Sequence, residues 1–462
     1  MLNTKVLILA GGQGKRLWPL SRKRWPKFML ELKDNKSLLQ LTYKRLENIV
    51  ENDDRYVVTT KDTDYLVKNN IKKIYKDFNK DNIFVEPASK NTAPAIMMSI
   101  EQFEDEDMIV VLPADHVIQP KKGFSRTIEK AIEVARQNYI VSLGIEPDYP
   151  ATGYGYIKKS KKEIGEGWAV EEFKEKPDAD KAKQYLDSEK FFWNAGIFVF
   201  KAGVMKQEMK KHCNEVYAPF KDLKQDNSNL KKIYKSLPNI SIDYAVMEKT
   251  EKAGVVSFSG DWNDLGSWDS IKELLCKEGD VFTNGENIDM GSKNAFVFSD
   301  SKKLTATVGI EDTIVIDTED ALLVLKEGEG QKVKKVVKKI QDKSQATYHT
   351  KDYRPWGGYK VLDEGEGYKT KILFIEPGQR LSLQKHKYRE EIWTVVKGKG
   401  KITLDDENIK VTPGQTVKIP SGALHRAENT GNKELKILEL ATGEKILEDD
   451  IQRLEDDYDR QK

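Results

Sequence analysis

The sequence is short of cysteine, of charge of one sign and of long apolar runs, and each shortage removes a class of protein. Among 462 residues there are 2 cysteines, Cys213 and Cys276, too few for the disulfide framework of a secreted domain. A reducing, cytoplasmic setting is the expectation. The 77 Lys and Arg nearly cancel the 75 Asp and Glu, leaving a net charge of +2, so no overall field favours nucleic acid or an anionic membrane. Any anion site must be local. No apolar stretch approaches the roughly 20 residues that cross a bilayer. The run VLILA near the start is too short for a signal-peptide core and reads as a buried strand. With 15 prolines, 31 glycines, and 38% hydrophobic against 33% charged residues, the chain is neither disordered nor collagen-like. Its length predicts two or three globular domains.

What is present falls into three stretches. Over 1–275, β-branched runs (RYVVTT, NIFVE, MIVVLPAD, YIVSLGI, AGIFVF) alternate with longer polar-apolar ones such as FSRTIEKAIEVARQ. This predicts an α/β domain, Rossmann-like, on a mixed and mostly parallel sheet. Over 276–345, short β-branched segments with turn residues lead into the basic stretch QKVKKVVKKIQDK. A β-rich connector and an exposed linking helix are expected there. Over 346–462, short strands separated by PG, GKG, SG and TGN turns predict a small antiparallel barrel or jelly roll. The tail EKILEDDIQRLEDDYDR reads as an acidic helix with a solvated face.

Two constellations carry chemistry. In the first, VLILA runs into Gly11, Gly12, Gln13, Gly14, Lys15 and Arg16. Glycines after a buried strand let main-chain N–H groups approach phosphate oxygens. A glycine turn alone can be purely structural, and this one lacks the third glycine of a dinucleotide fingerprint and the GKS or GKT of a P-loop. Yet Arg16, Arg22, Lys23, Arg24 and Lys27 follow at once, interleaved with Trp18, Pro19, Trp25 and Pro26 that stiffen the loop. Placed cations suit a polyphosphate leaving group. Asp115 ends the apolar strand MIVVL, at the sheet edge where open α/β sheets bind ligands, and Asp264 lies in the aromatic turn WNDLGSW. Both are candidate Mg²⁺ ligands.

The stretch LAGGQGKRLWPLSRKRWPK resembles the signature of sugar-nucleotide pyrophosphorylases, and its LWPLSR part that of mannose-1-phosphate guanylyltransferases. EPASKNTAPAI, LPADHVI, TGYGYI, FKEKPD, WNAGIF, SIDYAVMEK and WNDLGSWDS follow in the same order as in that family. The resemblance implies that Arg16 and Lys27 hold phosphates and, with Asp115, act in catalysis. It implies that Gly11, Gly12, Gly14, Ser89, Asn91 and Thr92 lie along the nucleotide, although Ser89, Asn91 and Thr92 would also serve as simple helix caps. Gly153, Tyr154, Glu175, Lys176, Asn194 and Asp243 would surround the sugar phosphate, with Lys176 on its phosphate.

The second constellation uses two of the five histidines. In GQRLSLQKHKYREEIWTVVKG, Gln384 and His386 project to one side of a strand, and Glu391 can meet them across a hairpin. His425, after the Pro420 to Gly422 turn, would close a ligand set with open positions on a divalent ion. His116, His212 and His349 stand outside any such pattern and are expected to be structural or exposed. The spacings Gly378, Gln384, His386, Glu391, Gly398 and Gly414, Pro420, Gly422, His425, Asn429 are similar to the two cupin motifs. Glutamine at 384, the run QKHKYREEIW and RPWGGY at Arg354 to Tyr359 resemble the type II phosphomannose isomerases. KYREEI lacks a further histidine frequent before the arginine, and YDR stands in the tail where YGR is usual.

The resemblance therefore spans the chain. It implies a left-handed β-helix-like connector and a bifunctional enzyme acting on GTP, mannose 1-phosphate and mannose 6-phosphate. Mg²⁺ would serve the first site and Zn²⁺, or Mn²⁺, Co²⁺ or Fe²⁺, the second. Arg389 is the candidate for substrate phosphate or enediolate charge, with Lys371 and Lys385 behind it. The isomerase base is not identifiable from sequence. A guanylyltransferase whose cupin domain only binds or regulates is the alternative, and a non-catalytic sugar-phosphate sensor is a third. Small-molecule partners and a homodimer are expected, with no nucleic acid and no membrane.

Overall fold

The computed structural model describes residues 3–32, 35–221, 229–277, 279–300, 303–446 and 450–458. The chain divides into two compact units, 1–318 with 322–341, and 319–321 with 342–462.

The first unit is built on a nine-stranded sheet. Its strands are β1 (Thr4–Ala10), β2 (Arg55–Thr60), β3 (Ile83–Glu86), β4 (Met108–Pro113), β6 (Ile140–Ile145), β7 (Tyr156–Ile164), β8 (Gly167–Lys174), β9 (Phe191–Lys201) and β10 (Ala253–Phe258), with β5 (Val117–Gln119) outside it. The spatial order is β3-β2-β1-β4-β9-β6-β10-β8-β7. β1, β2, β3 and β4 pair in parallel, as do β6 and β10, while β9 runs antiparallel between β4 and β6. The central strands are apolar on both faces, as a sheet covered on both sides requires: Val6, Leu7, Ile8, Ile109, Val110 and Val111 are fully buried. One consequence positions the site. β1, β3 and β4 end, and the antiparallel β9 begins, at the same edge, so Glu86, Gly11, Asp115 and Asn194 follow one another along it.

The stretch after 280 forms a coil. Asn287–Met290 pairs in parallel with Thr305–Val308, and Phe296–Ser299 with Thr313–Asp317. Asn287 faces Thr305 and Phe296 faces Ile314, the same spacing in both sheets, as successive turns of a β-helix require. Its interior stacks Phe282 on Phe296 at 4.8 Å. This coil belongs to the first unit, because the helix Trp268–Leu275 ties it down. Trp268 is fully buried, lies 6.5 Å from Phe296 and 6.3 Å from Phe298, and donates to the Trp18 carbonyl at 2.9 Å. Asp269 accepts from the Gly328 and Gly330 N–H groups at 2.7 and 3.0 Å, and Lys272 pairs with Glu327 at 2.7 Å. The basic stretch is helical over Val333–Lys339, but it is not a free linker: the turn preceding it bonds Arg16 through Gln331 at 3.0 Å.

The second unit is a two-sheet barrel of six and five strands. Trp356, Trp393, Val395, Ile402, Ile419 and Ile437 form its core. The tail departs from expectation. Ile451–Glu455 is a strand paired with Leu383–His386, not an acidic helix. An unpaired strand edge outweighed the weak helical pattern. Of YDR, Tyr458 bonds Gln379 at 2.9 Å, and Asp459 and Arg460 lie outside the described residues.

Trp268→Ala should cost about 3–5 kcal/mol by opening a core cavity, whereas Trp268→Phe should cost less by keeping a buried ring. The urea midpoint of the first unit's transition, followed by tryptophan fluorescence and circular dichroism together, measures both.

Candidate active sites

A cavity of about 460 Å³ opens at the shared strand edge. Gly11, Gly12, Glu86, Ser89, Asn91, Thr92, Asp115, His116, Gly153, Tyr154, Glu175, Asn194, Asp243, Trp262 and Asp264 are among its lining residues. A second cavity, about 550 Å³, lies beyond the glycine turn and shares Gly11, Gly12 and Ser89 with the first. Gly14, Lys15, Lys23 and Lys61 line that one.

The glycine turn depends on Gly14. Its φ of 68° favours glycine, and a Cβ there would stand 2.4 Å from the Lys27 Cβ. Lys27, buried in the short turn Lys27–Met29, places Nζ 2.8 Å from Asp115 Oδ2 and donates to the main-chain carbonyl of Asp264. Burial works to raise the Asp115 carboxyl, but the Lys27 ammonium and neighbouring donors outweigh it and hold the group below the usual range. Asp264 is anchored in turn, its Oδ1 accepting from Tyr154 at 3.0 Å and from the Gly266 N–H at 2.9 Å. Three chain segments thus converge on one ammonium.

Not every loop cation faces the cavity. Arg22 is only 2% exposed, donates to the Pro19 carbonyl at 2.6 Å and lies 5.7 Å over the Trp18 ring. It holds the loop's own shape. Arg16 is half-buried and bonded to Gln331.

At the other end of the cavity, Glu175 pairs with Lys176, and Asn194 Nδ2 donates to Asp243 Oδ1 at 2.9 Å. Gly155 makes room, since a Cβ there would meet Glu175 Oε2 at 2.5 Å. Asp243 opens a π-helical turn, Asp243–Met247, a form frequent at functional sites. Burial, then the nearby Glu175 charge, pushes its carboxyl up to about 6. The helix Thr92–Ile100 is capped by Asn91, whose Oδ1 accepts the Thr92 N–H at 2.9 Å, while Thr92 Oγ1 accepts the Ile242 N–H at 2.9 Å. Asn91 and Thr92 therefore cap and cross-link as well as line the cavity.

Glu86, His116 and Trp262 line the cavity without being among the residues expected there. Glu86 is buried, accepts from the Tyr234 hydroxyl at 3.2 Å, and is pushed up to about 7 by burial. Its place at the carboxyl end of a parallel strand was the available signal. His116, expected to be structural or exposed, accepts from Trp262 Nε1 through Nδ1 at 3.3 Å, with Nε2 3.9 Å from Asp115. Burial pushes it down to about 4, so it is neutral near pH 7.

In the second unit, His386, Glu391 and His425 offer ligand atoms within 4.8 Å of one another, all buried. They meet differently from the expected hairpin. Leu383–His386 and Arg389–Lys397 belong to different sheets, so the ligands converge across the barrel interior. His386 Nε2 lies 3.2 Å from Glu391 Oε1, and His425 Nε2 lies 3.5 Å from Oε2. The contact of His425 Nδ1 with the Ala423 carbonyl at 3.0 Å assigns the ring proton to Nδ1 and leaves the Nε2 lone pair facing Glu391. Among the described residues His425 Nε2 and His386 Nδ1 have no hydrogen-bond partner. The His425 nitrogen, buried and facing Glu391, fits a divalent ion, whereas His386 turns Nε2 rather than Nδ1 toward Glu391. Arg389 donates to Glu391 Oε1 at 2.9 Å and lies 3.3 Å from His386 Nε2, while Trp393 donates to Glu391 Oε2 at 3.0 Å. Burial opposes the Glu391 charge, but His386, His425 and Arg389 prevail and hold the carboxyl far below its ordinary value. Gln384 lies opposite His425 in the ladder, with its amide nitrogen 3.5 Å from His386 Nε2 and its oxygen accepting from Ser382 at 2.9 Å.

Three family models match in succession: Nucleotidyl transferase over residues 5–280, the MannoseP isomerase/GMP-like beta-helix domain over 285–340, and Mannose-6-phosphate isomerase C-terminal over 341–456. Mannose-1-phosphate guanylyltransferase 2 of Escherichia coli O157:H7 is 38% identical, covering 98% of each chain. Alginate biosynthesis protein AlgA of Pseudomonas aeruginosa is 37% identical over 98% of this chain and 97% of its own. Xanthan biosynthesis protein XanB of Xanthomonas campestris pv. campestris is 38% identical over 100% of both. A crystal structure described as mannose-1-phosphate geranyltransferase from Thermus thermophilus aligns at TM-score 0.67 and 30% identity, over 74% of this chain and 100% of that one. With this coverage in both units, the chain belongs to the bifunctional type II family that joins a mannose-1-phosphate guanylyltransferase to a mannose-6-phosphate isomerase domain.

Proposed function

We propose that the first unit transfers the guanylyl group of GTP to mannose 1-phosphate, releasing pyrophosphate and forming GDP-mannose. The second interconverts mannose 6-phosphate and fructose 6-phosphate. The two free thiols, Cys213 and Cys276, suit a cytoplasmic setting for these reactions. What supports the first activity is one continuous cavity with the glycine turn and Glu86 toward one end, Glu175, Asn194 and Asp243 toward the other, and Asp115 along the strand edge between them.

The transfer is an in-line displacement at the α-phosphorus, in which positioning and charge neutralisation do most of the work. Glu175 and Asn194 would bind sugar hydroxyls and Lys176 the attacking phosphate. Lys27, which cannot swing away without leaving Asp115 unpaired, would neutralise the α-phosphate. The departing pyrophosphate would meet the Gly11 to Gly14 N–H groups and the lysines of the second cavity, and Arg16 would join them on giving up its bond to Gln331. Asp115 and Asp264, both lining the cavity, would be the ligands of Mg²⁺, an ion that keeps several waters and takes phosphate oxygens. That ion would draw charge from the reacting phosphates. Guanine presents neighbouring N1–H and N2–H₂ donors, so the Glu86 carboxylate matches it where adenine would offer a ring-nitrogen acceptor.

In the second unit, His386, Glu391 and His425, with Gln384 after an amide rotation, would hold Zn²⁺ or a related divalent ion. Such an ion supplies Lewis acidity at the sugar carbonyl. Arg389, already packed on Glu391, would carry substrate phosphate or enediolate charge.

Lys27→Met should lower the rate of pyrophosphate release on the order of 10²–10³-fold, the scale of losing one preorganised charge contact. Glu86→Gln should raise the KM for GTP on the order of ten- to a hundredfold. Since Glu86 titrates near 7 and only its ionised form accepts both donors, wild-type KM should fall from pH 6 to pH 8 and that slope should vanish in the variant. His386→Ala should abolish the isomerase and weaken divalent-metal binding while leaving GDP-mannose formation within twofold. Isomerisation absent from metal-loaded wild type would instead favour a binding or regulatory barrel.

A further inference from the structure

An aldose–ketose interconversion needs a group that takes a proton from one sugar carbon and returns it to the next. Four carboxyl side chains are buried among the described residues of the second unit: Asp352, Glu391, Glu439 and Asp450. Glu391 belongs to the candidate metal cluster. Asp352 lies on the edge strand Lys351–Arg354 and pairs with Arg354 at 2.9 Å. Asp450 accepts the Lys387 and Tyr388 N–H groups at 3.1 and 3.3 Å.

Glu439 is placed differently. It lies in Leu435–Gly443, the strand between Tyr368–Ile375 and Arg389–Lys397, directly opposite Lys371 on one side and Trp393 on the other. Residues opposite in an antiparallel ladder share a face, as do residues two apart in one strand. Lys371, Glu439, Trp393 and Glu391 therefore project from one face of the sheet, and all four are buried. Glu391 is the diagonal neighbour of Glu439, a step of about 7–8 Å between strands. A sugar carbonyl held at the metal cluster would lie within reach of the Glu439 carboxylate. Oε1 of Glu439 is 3.4 Å from Lys371 Nζ, a long ion pair between two buried groups.

We infer that Glu439 is the acid–base residue of the isomerase, an inference that rests on the isomerase reading of this unit. The carboxylate takes the proton on C2 of the open-chain aldose. The C–H electron pair becomes the C1=C2 double bond, and the carbonyl pair moves onto O1. Glu439, now a carboxylic acid, returns the proton to C1, while the O2 proton passes to O1 and C2 becomes the carbonyl. No oxidant or reductant is consumed.

The test uses the full chain loaded with Mn²⁺ or Zn²⁺ and compares wild type, Glu439→Gln and Glu439→Asp. In Glu439→Gln, kcat for mannose 6-phosphate should fall on the order of 10²–10⁴-fold, the share of a positioned acid–base group. Exchange of the C1 proton of fructose 6-phosphate with deuterated solvent should stop. Metal content, calorimetric affinity for fructose 6-phosphate and GDP-mannose formation should stay within about twofold of wild type. Glu439→Asp should recover part of the exchange. Isomerisation by metal-loaded Glu439→Gln within tenfold of wild type would overturn the inference and leave the isomerase reading standing. A wild type that neither isomerises nor exchanges would remove that reading, and the inference with it. If Glu439→Gln loses metal or melts early, Glu439→Asp decides: an unchanged kcat overturns the assignment, and a fall of tenfold or more at unchanged affinity supports it.

Discussion

The nucleotidyl site depends on how one ammonium group is held. Lys27 is buried between the Asp115 carboxylate, 2.8 Å away, and the Asp264 carbonyl. A buried charge is tolerated only when it is paired and hydrogen-bonded, so this contact locks the loop after β1 to the end of β4 and to the aromatic turn. The rest of the loop is built around it. Gly14 is bare where Lys27 passes, Arg22 is spent on the loop's own carbonyl, and Trp268 ties the Trp18 carbonyl to the β-helical coil. A loop pinned at so many points meets a polyphosphate without first having to be ordered.

The barrel uses the same device for other chemistry. Arg389 is held on Glu391, and Glu391 gathers two histidines and the Trp393 N–H. In both units a cation lies against the carboxylate that would hold the ion. The surroundings differ. The first site has carboxylates, Asp115 and Asp264 among them, on an open cavity with N–H groups and lysines beside it, which suits phosphate and a hydrated hard ion. The second has imidazoles in a closed interior, which suits a borderline metal and a carbonyl.

Legibility in the sequence followed the range of the interaction. The apolar runs of β1 and β4, the glycine turn and the strand-end position of Asp115 are local patterns, and they could be read directly. Long-range partners could not. Glu86 was passed over because its significance comes from Tyr234, far away in the chain. His116 looked isolated because Trp262 is equally distant. Arg22 is an exception of another kind: its partner Pro19 is only three residues away, but residue types alone do not say which way a guanidinium turns. The tail IQRLE has a weak periodicity, and an open strand edge at Leu383–His386 settled its form.

The sequence by itself determined the order of the parts and the chemical types at the two sites, because strand periodicity, turn glycines and ligand spacing act over a few residues. Only the tertiary structure decided which charged and polar groups meet. It joined Lys27 to Asp115, Gln331 to Arg16 and Lys371 to Glu439, and it brought His386 and Glu391 together from two different sheets. Such pairings depend on which buried groups need partners once the core has closed, and that need exists only after distant segments have packed.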